Sequence, residues 1–324
     1  MQRQVKAATL AALMVTVALA GCTQSPADDQ PDASTGSEVL TMCVVHNFAD
    51  SVSVTAMVKG MNAEASHYDA EITYFDPAND PQKQASMIAD CASRQPDVLV
   101  VNAVDPEAVI PDMKRASEAG IKILTINADV AEDGQQYRMS FIGSDSFTQG
   151  YAVGSMIAEG LNNEGNLAIV GGNPGQTDSV NRTEGVKAAL ADNNSKIKIV
   201  AEQSANWSQD KALTVTTDLL TRFPDIDAVF GQDDPMAMGA LLAVKNSGKT
   251  GIKVYGVNGN KEACASIKDG ELAGTALQMS ELLGVSAVRA AFDLKVGRLV
   301  PDKILAPTAA VTMDNITKWE PQCW

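Results

Sequence analysis

"IDAVFGQDDPMAMGALLAVKNSGK" occupies residues 226–249. It opens on the apolar run IDAVF, turns at two adjacent carboxylates, Asp233 and Asp234, and continues as a helix-like stretch from Pro235 to Gly248. Proline is tolerated where a helix starts, because its missing amide has no partner there, and glycine supplies the left-handed residue that ends one. The stretch reads as strand, turn and helix, so the fold depends on whether this unit recurs.

It recurs along most of the chain. Short apolar runs precede it at LTMCVV (40–45), EITYF (71–75), DVLVVNA (97–103), IKILTIN (121–127), MSFIG (139–143), NLAIVGG (166–172) and IKIVAEQ (197–203), and IKVYGVN (252–258) follows it. Between runs the spacing turns helical: Val54, Met57, Val58, Met61 and Ala65 share one face, as do Ile88, Cys91 and Ala92. Pro81 and Pro106 lie near other helix starts, and Gly120 and Gly270 near other helix ends. Continuous apolar runs suit strands buried on both faces, and their alternation with helices indicates parallel sheets. The reading is α/β, with two doubly wound parallel-sheet lobes and a first boundary near Gly143–Asp145.

At 324 residues and 45 % hydrophobic composition, the chain can bury two cores. Its formal net charge of −15 argues against nucleic acid and anionic lipid as partners. Residues 1–22 begin with Arg3 and Lys6, continue through an apolar segment and end in small residues, the layout of a secretion signal. LAGC (19–22) resembles the bacterial lipobox, which implies lipidation of Cys22 and cleavage before it. Residues 23–38 are polar and rich in Pro, Ser and Asp, as a disordered tether would be. No later stretch approaches the roughly 20 apolar residues of a membrane span. Extracytoplasmic location, anchored by lipid to the bacterial membrane, is the expectation.

Ligands of open parallel sheets bind beyond the carboxyl ends of the strands. That rule selects His46, Asn47 and Asp50 of the loop HNFADS (46–51), where Phe48 and Ser51 are further candidates, together with Asn102, Asp105, Asn127, Asp129, Asp233, Asp234 and Asn258. Amides and carboxylates of this kind suit a polyhydroxylated ligand. Catalysis finds little support: there is no GxSxG and no HExxH, and GGNPGQTDS (171–179) lacks the Lys-Ser/Thr of a phosphate loop. No cofactor or metal is expected, since no cysteine pair has CxxC spacing and the histidines are only His46 and His67. The chain is read as a non-enzyme.

Residues 225–249, together with IKVYGVNGNKEACASIKDGELAGTALQ (252–278), IKILTINADV (121–130), FIGSDSFTQGYAVG (141–154) and NRTEGVKAAL (181–190), resemble the ribose-binding branch of type I periplasmic binding proteins, the sugar receptors of ABC importers. The resemblance runs from about residue 40 to 315. Repressors of similar fold carry an N-terminal helix-turn-helix where this chain has its secretion signal, which points away from a repressor. The resemblance implies three crossings, near Ser144, Gln278 and Pro307–Thr308. It places 39–144 plus 279–307 in the N-terminal lobe and 145–278 plus 308–324 in the C-terminal lobe. Asp233 and Asn258 match sugar-bonding positions, Gln278 a hinge glutamine, and Trp207 an aromatic ring over one face of the sugar.

Other positions depart from the family pattern. Asn127-Ala128 stands where Asp-Arg is common, Val180 where an arginine is expected, and Ser53-Val54 where the family has an aromatic pair, leaving Phe48 as the substitute. Arg182 matches only a structural Arg-x-x-Gly segment. The expectation is a pocket without a cation, for a small neutral sugar or polyol, or else a hydroxylated or cationic signal read by a membrane sensor. An ABC permease is the expected partner of a monomeric receptor. Asp233 is expected to face the ligand and Asp234 to cap the helix after it.

Four cysteines remain once Cys22 is set aside: Cys43, Cys91, Cys264 and Cys323. In a sheet of order 2-1-3 the helix after strand two passes over strand one, bringing Cys91 above Cys43. Cys264 lies on a second-lobe helix to which WEPQCW (319–324), running past the usual family end, should return Cys323.

Overall fold

The computed structural model describes residues 39–324; the expected leader with Cys22 and the tether lie outside the described residues. The strands are β1 (Leu40–Val45), β2 (Ala70–Phe75), β3 (Val98–Val101), β4 (Lys122–Ile126), β5 (Ser140–Ser144), β6 (Asn166–Gly171), β7 (Lys198–Ser204), β8 (Ala228–Gly231), β9 (Lys253–Asn258), β10 (Gly274–Leu277), β11 (Lys303–Ala306) and β12 (Ala310–Thr312). The helices are α1 (Val52–Ala65), α2 (Pro81–Ser93), α3 (Ile110–Glu118), α4 (Ser146–Gly160), α5 (Thr177–Asp192), α6 (Gln209–Arg222), α7 (Asp234–Ser247), α8 (Lys261–Lys268), α9 (Ser280–Lys295) and α10 (Ile316–Trp319).

The strands form two sheets, each the spine of one lobe. The first runs β2-β1-β3-β4-β5-β11, all parallel. The second runs β7-β6-β8-β9-β10-β12, with β12 alone antiparallel. The nine apolar runs of the sequence are β1 to β9. The remaining strands have three or four residues each. All four residues of β3 and of β8 are buried, which is why those segments read as continuous apolar runs rather than alternating ones. Phe230 on β8 is wholly inside, a burial worth about 2–3 kcal/mol. No helix among the described residues is long and apolar enough to cross a membrane.

Helices of both lobes approach unusually closely at glycines. A Cβ on Gly150 of α4 would lie 2.1 Å from the carbonyl oxygen of Arg182 on α5, and one on Gly185 would lie 2.2 Å from that of Phe147. In the first lobe Gly60 of α1 and Gly284 of α9 approach Glu281 and Met57 in the same way, each at 2.0 Å. Only glycine permits such contact, and the α4/α5 contact fixes where Arg182 emerges from its helix.

Cys43 on β1 is bonded to Cys91 on α2, and Cys264 on α8 to Cys323, with Cα separations of 5.8 and 6.4 Å. The chain leaves the first sheet after β5, returns through Gln278 to α9 and β11, and passes once more to reach β12.

Candidate functional site

The carboxyl ends of both sheets open on a common cleft whose free space, counted with its mouth, is about 380 Å³. From the first lobe come Asn47 and Phe48 after β1, Ser51 and Ser53 at the start of α1, and Asn127 after β4. The second lobe supplies Gln176, Asp178 and Arg182 from the start of α5, Trp207 before α6, Asp233 after β8 and Asn258 at the end of β9. Gln278 stands at the crossing between them. Asn127, Trp207 and Asn258 have positive φ, at 63°, 59° and 130°. For a bulky residue such as tryptophan this region is rarely populated, and such backbone persists where the surroundings enforce it.

The buried guanidinium of Arg182 organises the floor. Nε and Nη2 donate to Oε1 of Gln149 at 3.0 and 2.9 Å, Nη1 donates to the carbonyl of Gln232 at 2.7 Å, and Nη2 also reaches Oε1 of Gln278 at 2.9 Å. These bonds use four of its five N–H groups, so one remains for a ligand. Gln278 in turn donates through Nε2 to Oδ1 of Asn127 at 2.7 Å and to Ser53 at 3.2 Å, joining the lobes through one amide. At the rim, Trp207 donates its indole N–H to Gln176 at 2.5 Å. Gln176 then reaches the carbonyl of Ala103 across the cleft at 3.3 Å.

Two carboxylates face the same space. Asp233 Oδ1 accepts the amide of Met236 at 2.8 Å, and burial pushes its pKa up to about 7, opposed by that bond and by Arg182. Asp178 is likewise raised by burial, opposed by Arg182 and by the hydroxyl of Ser146. The free side-chain groups include Oδ2 of each carboxylate, the amide nitrogens of Asn47 and Asn127, the hydroxyl of Ser51 and the whole amide of Asn258. None of them has a hydrogen-bond partner among the described residues. Donors and acceptors are thus presented together, the demand made by hydroxyl groups, each of which both gives and takes a bond.

Of the sequence-selected residues, the cleft gathers Asn47, Phe48, Ser51, Asn127, Trp207, Asp233, Asn258 and Gln278. His46 is turned inward: its ring stacks on Tyr74 at 5.7 Å, neither ring nitrogen has a partner, and burial lowers its pKa to about 4. Asp50 is exposed, and Asp129 is spent on Arg138, whose Nε and Nη2 each donate to it at 3.0 Å. Asn102 stands behind the site, donating to Asn47 at 3.1 Å, and Asp105 accepts the amides of Glu107 and Ala108.

Two expectations require correction. Asp233, not Asp234, caps α7; Asp234 instead accepts the amides of Gly259 and Asn260 at 2.7 and 2.9 Å and the hydroxyl of Thr275 at 2.6 Å, locking the turn after β9 to β10. The cleft also does contain a cation, Arg182. Asp178 and Gln176 escaped the sequence reading because they belong to a helix start rather than a strand end, whereas Arg182 was taken as structural and Ser53 only as the replacement of an aromatic. Asp178 and Arg182, four apart on one face of α5 just beyond the carboxyl end of β6, carried the signal that could have found them.

A family model described as a periplasmic binding protein domain matches residues 43–299. The ribose import binding protein of Bacillus subtilis is 33 % identical over 290 residues, covering 89 % of this chain and 93 % of that protein. Among solved structures, an ABC transporter solute binding protein from Bacillus halodurans with bound myo-inositol superposes with a TM-score of 0.83 at 29 % identity, covering 89 % of this chain and 100 % of that one. Another, from Mycobacterium smegmatis with bound glycerol, has a TM-score of 0.81 at 32 % identity, with coverage of 86 % and 96 %.

Proposed function

The chain belongs to the family of periplasmic binding protein domains, and from that premise we propose that it is the extracytoplasmic receptor of an ABC importer, capturing a small neutral sugar or polyol between its lobes. The observation that carries this reading is the set of unspent donors and acceptors facing one cleft from both lobes, hinged at Gln278. A ligand favours the closed arrangement only through contacts it makes with both lobes at once. Asn47, Ser51 and Asn127 on one side, and Arg182, Asp233 and Asn258 on the other, supply those contacts. Trp207 and Phe48 offer apolar faces to the C–H groups of the ligand.

Relatives whose ligands are ribose, myo-inositol and glycerol support the substrate class. They are binding proteins, in keeping with capture rather than turnover. The LAGC motif supports lipid anchoring through Cys22, and we take the receptor to work as a monomer. Two carboxylates against one largely occupied guanidinium favour a single second reading, a hydroxylated ligand that carries an amine.

A thermal-shift screen of residues 39–324 against D-ribose, xylitol, myo-inositol, glycerol and small hydroxylated amines tests both. A true ligand at 100 times its dissociation constant adds about 2.7 kcal/mol of stability. A response to sugars or polyols is expected. A response confined to amines overturns the neutral-ligand reading, and hydrolysis of a bound ligand overturns the receptor reading.

A further inference from the structure

Residues 319–324 are bolted to the second lobe. Cys323 is disulfide-bonded to Cys264 on α8, Glu320 pairs with Lys268 at 2.7 Å, and the carbonyl of Trp324 accepts the amide of Lys261 at 2.9 Å. The main-chain amide of Trp324 points at the carbonyl of Gly259 at 3.4 Å, in the turn that Asp234 also holds. From this mounting the indole Nε1 of Trp324 donates to the main-chain carbonyl of Gln278 at 2.6 Å. That carbonyl is the last of the second lobe before the chain enters the first, and the amide of the same residue is bonded to the carbonyl of Asn258 at 2.8 Å. Beyond the indole, the surrounding space is bounded by Lys59, Leu282 and Val285 of the first lobe.

We propose that Trp324 is a positioning residue for ligand capture: anchored by the Cys264–Cys323 bond, it holds the peptide plane of Gln278 and so biases the lobes toward the arrangement in which they touch. The proposal rests on the receptor reading above. Lobe movement turns the chain at Gln278 and Met279. An N–H fixed to one lobe and aimed at the pivot carbonyl opposes that turn without touching the ligand. Its loss therefore lowers the population of the binding-competent state and weakens every ligand by the same factor.

The test compares wild type, W324F, W324A and C264S/C323S as residues 39–324. Titrations with D-ribose, xylitol and myo-inositol are combined with small-angle scattering of the ligand-free proteins. W324F keeps a ring and removes the donor, so its dissociation constants should rise by about fivefold, the equivalent of one ordinary hydrogen bond. That factor should be shared by all responding ligands and accompanied by a larger ligand-free radius of gyration. W324A and C264S/C323S should shift further in the same direction. A purely structural role would lower melting temperature and leave both readouts in place. Unchanged affinity in W324F and W324A, or a loss confined to one ligand, overturns the proposal. If wild type binds none of the three, the affinity readout is lost and the scattering alone decides: equal radii in wild type, W324A and C264S/C323S refute a role at the hinge. If C264S/C323S does not fold, W324F with the disulfide intact decides.

Discussion

Nη2 of Arg182 donates to Oε1 of Gln278 at 2.9 Å, so the guanidinium that lines the cleft is bonded to the residue at which the chain crosses between lobes. Charge and hinge are therefore one network rather than two devices. R182A would strip partners from Gln149, Gln278 and the carbonyl of Gln232 and leave Asp178 and Asp233 without a nearby cation. We expect a loss of about 3–5 kcal/mol of folding stability in denaturant titrations. R182K, which lacks the fork that reaches all three, should recover less than half of it.

Adjacent carboxylates should respond differently to substitution. D233N retains a good N-cap for α7 and the shape of the cleft, so stability should hold while ligand affinity falls by about 1–3 kcal/mol in calorimetric titration. D234A instead strands the amides of Gly259 and Asn260 and the hydroxyl of Thr275, and should cost about 3 kcal/mol of stability. Matching profiles for the two variants would contradict this division of labour.

Protonation of Asp233 and of His46 should tilt stability in opposite directions. Because folding raises the Asp233 pKa to about 7 from about 3.9 in the unfolded chain, its proton stabilises the fold below pH 4 and that contribution is lost as pH rises to 7. His46 falls from 6.5 to about 4, so its contribution is complete above pH 6.5 and disappears on acidification toward 4. Melting curves from pH 4 to 8 should show D233N removing a fall in stability between pH 4 and 7, and H46F removing a rise between pH 4 and 6.5.

The α4/α5 contact makes a sharper demand. G185A places a methyl group 2.2 Å from the carbonyl of Phe147, and the helices must separate. A loss of about 3 kcal/mol or more is expected, together with weaker ligand binding because α5 carries Arg182 and Asp178 into the cleft. An alanine at Gly248, where nothing lies within 4 Å, would meet only its own backbone cost at φ 69°, about 1 kcal/mol.

Much of this molecule could be read from residue order, and the exceptions share a cause. Central strands such as β3 and β8 were visible because both of their faces are buried, turning each into an unbroken apolar run, whereas the edge strands β2 and β7 are only partly buried. β10, β11 and β12 were not found. Asn47, Asn127, Asp233 and Asn258 follow such runs and were found by position alone. His46 sits equally close to a strand end, but its side chain points away from the cleft, toward Tyr74, and no pattern of residue types records that rotation. The cap of α7 was assigned to Asp234 rather than Asp233 because it belongs to the residue with extended backbone, φ −139° and ψ 170°, a property the two identical neighbours do not announce. Arg182 was read as a scaffold residue. It is that and a cleft residue together, since the contact at Gly150 aims it inward.

The order in which pieces of the sheets arrive has a kinetic meaning. The first lobe packs Leu283, Ala287, Val288, Ala291 and Leu294 of α9 into the core that also contains Leu40, Met42 and Val44, and both sheets take their sixth strand from residues 303–312. Contacts spanning some 240 residues must close before the first core is sealed, so collapse of the first lobe cannot run to completion while the ribosome is still adding α9.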